Sequence, residues 1–461
     1  MSLLGTCITP HPPLIIPAIG KGKERAIQKT IAAYEQAGRE IAALKPETII
    51  VISPHSVMYA DYIHISPGNG AKGNFSGFGA RSVSIEKDYD TAFVDALCAA
   101  AESAHIPAGT QVERDEALDH GVLVPLSFVE HYYRDYKLVR ISISGLSALA
   151  HYRFGQCIAK VADAIGRKIV IIASGDLSHK LKEDGPYGFV EEGPEFDKQI
   201  TEAMAAGDFM RFLKFDEAFS NAAAECGLRS FIEMAGALDG LSVKPSFLSY
   251  EGTFGVGYAV CLYAITGTDR SRNFGDSFEQ EQQERISDIA HNEDEYVRLA
   301  RLSLESCVKG NKRLKRPDGL SGELLNKKAG VFVSLKKDGR LRGCIGTISP
   351  AQSCVADEII HNAVSAGQED SRFDTVTEDE LPSLVYSVDV LDEPEPISSL
   401  TELDVKRYGV IVTRGSRRGL LLPNLEGVDT TEEQIKIALQ KAGIAAHEQY
   451  TMERFEVTRH K

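Results

Sequence analysis

Apolar positions in the first 268 residues fall into short β-branched runs separated by longer stretches of helical period. Residues 47–53 (ETIIVIS), 81–86 (RSVSIE), 137–143 (KLVRISI) and 168–174 (KIVIIAS) read as strands, and residues 24–44 and 196–215 as amphipathic helices. Runs that stay apolar at successive positions suit strands buried on both faces. The pattern therefore predicts an α/β fold, a three-layer domain whose central, largely parallel sheet is covered by helices. The pattern breaks once. Residues 255–265 are apolar, residues 269–288 (DRSRNFGDSFEQEQQERISD) are polar and nearly free of aliphatics, and residues 295–308 return to helical period. This stretch reads as a linker, 269–288, running into a helix and dividing the chain into domains at 1–268 and 289–461. A length of 461 residues fits two or more domains, each able to bury its own core.

Composition narrows the class. Apolar residues make up 43% and charged residues 25%, the values of an ordinary globular chain. The net charge of −15 opposes binding to nucleic acid or to an anionic membrane surface, and favours a small uncharged or metal-held substrate. Eight cysteines at 7, 98, 157, 226, 261, 307, 344 and 354 contain no C-x-x-C pair, which fits reduced thiols and a cytoplasmic location. The N-terminus lacks a basic region and is broken by Pro10, Pro12 and Pro13, unlike a signal peptide, and no apolar run reaches the length of a membrane span.

The candidate chemistry sits where the strands end. GTCIT runs into Pro10-His11, TIIVIS into Pro54-His55, and IVIIA into Ser174-Gly175-Asp176-Leu177-Ser178-His179; His120 follows Asp119 just before the apolar run VLVPLSFV. Ligands of open α/β sheets bind beyond the carboxyl ends of strands, so His11, His55 and His179 are expected to converge on one cleft. One histidine after a strand is more often a capping or hydrogen-bonded residue, but the repeated Pro-His ends favour a joint site. Proline also fixes the φ angle just before each imidazole. Neutral imidazoles suit Fe, Zn or Cu, and two of them with one carboxylate form the open triad of non-haem Fe(II) oxygenases. Glu225, in NAAAECGLRSFIEMAG, is the first choice for the third donor, although a glutamate in the first turn of a helix fits it equally. Cys226 would be a softer ligand, and Glu251 a third option that otherwise begins the last strand.

TPHPPLI, ISPHS, LDHGVLVPL, SGDLSH and the AAAEC helix, in that order, resemble the class III extradiol ring-cleavage dioxygenases, the family of the LigB-type catalytic subunit of protocatechuate dioxygenase, over about residues 1–266. The resemblance implies Fe(II) held by His11, His55 and Glu225, His179 as catalytic acid/base, His120 over the substrate, and Asp176 orienting its loop. It implies extradiol cleavage of a small catechol-type aromatic with O2. The same fold is similar to the MEMO proteins, which share the histidines but present a cysteine around the third-ligand position. Glu225 and Cys226 stand side by side, so the sequence straddles a dioxygenase and a MEMO-like metal-binding protein with a redox or binding role and no ring cleavage.

In the second part, residues 309–316 (KGNKRLKR) form a short basic segment without interleaved aromatics, the pattern of a solvated loop more than of a nucleic-acid site. Residues 340–347 (RLRGCIGT) follow a strand and suggest a tight turn or, in the functional reading, a reactive Cys344 near arginines. LRGCIGT, with ADEIIHNAVSAGQEDSRF, YSVDVLDEPEPI and GLLLPNL, resembles the AMMECR domain family, which implies a smaller α/β domain over most of 289–461 but no settled activity. Combined with the first resemblance it implies a radical-SAM protein as candidate partner, and the sequence leaves a homo-oligomer open.

Overall fold

A computed structural model describes residues 2–111, 117–425 and 427–461. The chain divides into two compact units, Met1–Gln280 and Glu281–Lys461. Among the described residues no helix is long and apolar enough to cross a membrane.

In the first unit the strands of the main sheet are β1 (Leu3–Thr9), β2 (Thr48–Ser53), β3 (Lys137–Ser142), β4 (Ile169–Ser174), β5 (Leu241–Glu251) and β6 (Tyr258–Thr268). Among the described residues they lie in the order β3-β2-β4-β1-β6-β5, the first four mutually parallel and the last two antiparallel. The apolar runs do what their composition requires. Ile50, Ile52, Ile171 and Ala173 enter one core, while Ile49, Val51, Val170 and Ile172 enter another, because alternate side chains of a strand face opposite ways. The first core is covered by α2 (Thr91–Ser103), α4 (Ala148–Ile165), α5 (Glu192–Ala206) and α8 (Leu228–Ala237), the second by α1 (Gln28–Leu44) and α3 (His120–Val129). The three layers follow. Between α5 and α8 run α6 (Phe209–Leu213) and α7 (Glu217–Ala223).

Three expectations change in detail. Residues 81–86 form a strand, but it belongs to a separate hairpin of Gly70–Phe75 with Ala80–Asp88. The helix expected over 196–215 stops at Gly207, in the left-handed region at φ 64°, and resumes as α6. The polar stretch 269–288 is helical from Phe274 onward, as α9 (Phe274–Asn292), and the unit boundary falls inside that helix.

The second unit contains α10 (Glu295–Gly310), β7 (Val331–Lys337), β8 (Arg340–Gly346), α11 (Val355–Gln368), β9 (Leu384–Leu391), β10 (Glu395–Ile397), β11 (Gly409–Arg414), β12 (Arg417–Leu421), α12 (Thr431–Ala442), β13 (Thr451–Phe455) and β14 (Val457–His460). Among the described residues the strands make two sheets, β8-β7-β9-β14 and β10-β13-β11-β12. Among the described residues its cores are made of other residues than those of the first unit. The RLRGCIG stretch, read as a turn, is the edge strand β8. The basic segment is partly neutralised by carboxylates: Lys309 pairs with Glu305, Arg313 with Glu369 and Arg316 with Asp357.

Candidate metal centre

β2, β4 and β1 are neighbours in the sheet and run the same way, so the loops leaving them emerge side by side. His11 follows β1, His55 follows β2, and the Gly175–His179 loop follows β4. The imidazoles of His11 and His55 meet with their Nε2 atoms 2.9 Å apart. Cys226 Sγ lies 3.6 Å from His11 Nε2. These three donor atoms lie within 4.8 Å of one another and form the group among the described residues able to share one ion.

Glu225, first choice for the third donor, points elsewhere. Its carboxylate accepts the backbone N–H of Leu228 at 2.7 Å and caps the start of α8. The chain between α7 and α8 turns through Ala224 in the left-handed region, φ 52°, which an alanine adopts uncommonly. Beyond that turn Cys226 faces His11. The backbone of the turn lies against the loop after β4. Cys226 N–H donates to the Asp176 carbonyl at 3.3 Å, and Asp176 N–H donates to Cys226 Sγ at 3.3 Å. A Cβ on Gly175 would sit 2.1 Å from Gly227 Cα, so only a glycine permits this approach. Glu251 ends β5 rather than beginning the last strand, and its carboxylate accepts from the backbone and hydroxyl of Thr30.

Hydrogen bonds set the proton positions. Ser174 Oγ donates to the Gly121 carbonyl at 2.6 Å and lies 2.9 Å from His11 Nδ1. With its own proton engaged, the hydroxyl accepts from Nδ1–H, which leaves the His11 lone pair on Nε2, facing His55 and Cys226. Asp176 Oδ1 accepts the His11 backbone N–H at 2.7 Å and anchors the loop after β1. Asp119 performs the same task for the His55 loop. It accepts from Ser53 Oγ at 2.6 Å and Ser56 Oγ at 2.8 Å while capping α3 through Val122 N–H. His120, at the first position of that helix, stacks on His55 with ring centroids 4.1 Å apart.

His179 Nδ1 lies 2.7 Å from the Ala224 carbonyl, an acceptor only, so Nδ1 carries the proton and Nε2 the lone pair. Its loop is held by Asp197, which accepts from Ser178 N–H at 2.8 Å and from Tyr250 OH at 2.7 Å. Sequence reasoning missed Ser53, Ser174, Asp197, Tyr250 and Gly227. Ser53 and Ser174 left a signal, since both are the last residue of an apolar strand leading into the candidate loops.

Burial governs the electrostatics. It holds His11 well below the usual imidazole value, reinforced by the imidazoles of His55, His120 and His179. It lowers His55 to about 4, aided by His120 and opposed by the Asp119 carboxylate, and it also lowers His120 and His179. Burial raises Asp176 and Glu225 to about 7 and pushes the Cys226 thiol well above its ordinary value. The pocket is thus built of neutral imidazoles whose lone pairs converge, with no cationic side chain among the groups described. Such a donor set fits a metal ion: His11, His55 and Cys226 would hold it, with Cys226 as the thiolate.

In the second unit Cys344 sits on edge strand β8. Its N–H donates to Asp370 at 2.9 Å, its carbonyl accepts from Arg372 at 3.0 Å, and Ser334 Oγ donates to its sulfur at 3.2 Å. The neighbouring arginine is therefore Arg372, since Arg342 pairs with Glu380. Asp370 and Arg372 together occupy backbone groups that an edge strand otherwise leaves open.

Comparison with known proteins finds two families along the chain. The family described as the catalytic LigB subunit of aromatic ring-opening dioxygenase matches residues 5–261, and the AMMECR1 family matches residues 297–460. A protein of Clostridium acetobutylicum is 43% identical over 475 residues, covering 100% of both chains. A protein of Thermotoga maritima is 48% identical over 168 residues, 36% of this chain and 97% of its own. The crystal structure of an uncharacterized protein from Pyrococcus horikoshii aligns with a TM-score of 0.34 and 32% identity over 36% of this chain and 88% of that one.

Proposed function

Because the chain belongs to the family of the catalytic LigB subunit of aromatic ring-opening dioxygenases, with an AMMECR1 domain behind it, we propose that its first unit is a MEMO-like, metal-dependent redox protein whose ion is held by His11, His55 and Cys226. The observation that carries this reading is that the Cys226 sulfur faces the two imidazoles while the Glu225 carboxylate caps a helix. Two imidazoles and a thiolate suit Cu, Fe or Zn, whereas two imidazoles and a carboxylate suit Fe(II).

When bound, the ion supplies Lewis acidity and, for Fe or Cu, a redox couple. The chain supplies the rest. Ser174 fixes the His11 tautomer, Asp119 and Asp176 anchor the two donor loops, and His120 supports His55 by stacking. His179 presents an unprotonated Nε2 at neutral pH and can take a proton from a ligand hydroxyl.

A cobalt(II) titration tests the donor set. The near-ultraviolet band of a thiolate–cobalt bond should appear in the native protein and in Glu225→Gln, and vanish in Cys226→Ser; loss in Glu225→Gln with retention in Cys226→Ser would overturn it. Ring cleavage of a catechol with O2 is the second reading, favoured by His120, whose ring packs against both donor imidazoles, and by His179, near enough to act electrostatically on His11 and His55. Anaerobic Fe(II) loading followed by a catechol panel, scored for yellow ring-fission product and O2 uptake, separates the two. In that case His179→Ala should keep its iron and lose turnover, while His11→Ala and His55→Ala lose the iron.

A further inference from the structure

A second concavity opens on the same edge of the main sheet, and none of the centre's donors lines it. It has a volume of about 540 Å³, within the range of small-molecule sites. One wall is the chain after β1, another the loop after β4, and the third the turn between β5 and β6. Leu14, Ile19, Pro186 and Phe254 give it an apolar floor. Lys23, from the chain after β1, and Lys182, from the loop after β4, line it with one acid, Asp184. Lys182 donates to the Thr253 carbonyl at 2.8 Å, which holds its ammonium in place and leaves further N–H donors free. Two further acids outside the lining, Glu24 and Glu251, accept hydrogen bonds from the Gly22 backbone and from Thr30. In a chain of net charge −15, two lysines and one aspartate are the charged residues of the lining.

We propose that this cleft binds a small organic anion, a carboxylate on an apolar body, with the apolar part on Leu14, Ile19 and Phe254 and the carboxylate between Lys23 and Lys182. The walls continue the loops that carry His11 and His179. Leu14 lies three residues beyond His11, Lys182 three beyond His179, and Pro186 precedes Tyr187, which packs edge-on against His179 with centroids 5.2 Å apart. Binding in this cleft does not depend on the metal reading above.

The test is calorimetric titration of the full chain, metal-free and metal-loaded, with phenylacetate and hexanoate and with their neutral amides. Both carboxylates should bind, and the amides should bind about tenfold more weakly or worse, because the amides forgo two ammonium contacts. Lys23→Glu with Lys182→Glu should abolish carboxylate binding without changing metal content, Lys23→Gln with Lys182→Gln should weaken it, and Asp184→Asn should strengthen it. Equal affinity for acid and amide, no binding of either at millimolar concentration, or unchanged affinity in the double variants would overturn the proposal. Carboxylate binding that persists in a protein unable to hold metal would sustain the cleft and count against the centre alone.

Discussion

Ser174 shows how much of the candidate centre depends on a residue that holds no ion. Its hydroxyl, committed to the Gly121 carbonyl, leaves His11 one choice of tautomer. Ser174→Ala should therefore retain the fold but lose metal affinity by about 10–100-fold, the usual effect of removing a partner behind a metal-bound histidine; competition against a chelator of known affinity measures this. Asp197 offers a test by pH. Burial raises its carboxyl from 3.8 to about 7, so between those values the native chain holds a proton that the unfolded chain has released. Its contribution to stability is complete below about pH 3.8 and is lost as pH rises through 7. Asparagine never ionises. From pH 4 to pH 8 the melting temperature of the native protein should fall relative to that of Asp197→Asn, by the equivalent of at most a few kcal/mol; parallel curves would show that the carboxyl stays ionised throughout.

Among the elements, the closest constraint is the contact between the loop after β4 and the turn that carries Cys226. Gly175→Ala should place a methyl against Gly227 Cα, cost about 1–3 kcal/mol of stability as an overpacked contact, and weaken metal binding by moving the sulfur. Thermal melts and metal titration of the same variant report both. The strands of this sheet were legible because Ile49 to Ile52 and Ile169 to Ala173 are apolar at every position, a pattern that only two-sided burial explains. The meeting of His11 and His55 was legible for the same reason, since Pro-His at two parallel strand ends projects toward one edge. Which of Glu225 and Cys226 faces His11 was not legible. It depends on the left-handed φ of Ala224, and alanine carries no mark of that conformation. Nor did residue type reveal that residues 81–86 pair in a hairpin outside the main sheet, because a β-branched run specifies a strand but not its partner.

For the whole molecule, the separate cores predict separate melting. Calorimetry of the full chain should resolve two transitions, and added metal should raise that of the first unit only. At an ion concentration one hundred times the dissociation constant the gain is about 2.7 kcal/mol, which for a unit of this size is a rise of roughly 5–10 °C. A shift of both transitions would show that the units unfold together. The proposed donors His11 and Cys226 lie 215 positions apart along the chain. On the proposed reading, an ion shared by these donors would close residues 11–226, most of the first unit, into a single loop, as a removable clasp does. On the proposed metal reading, supply of that ion would set the lifetime of the protein as well as its chemistry: where metal is scarce, the unclasped chain would open more often and would be the form that proteases destroy first.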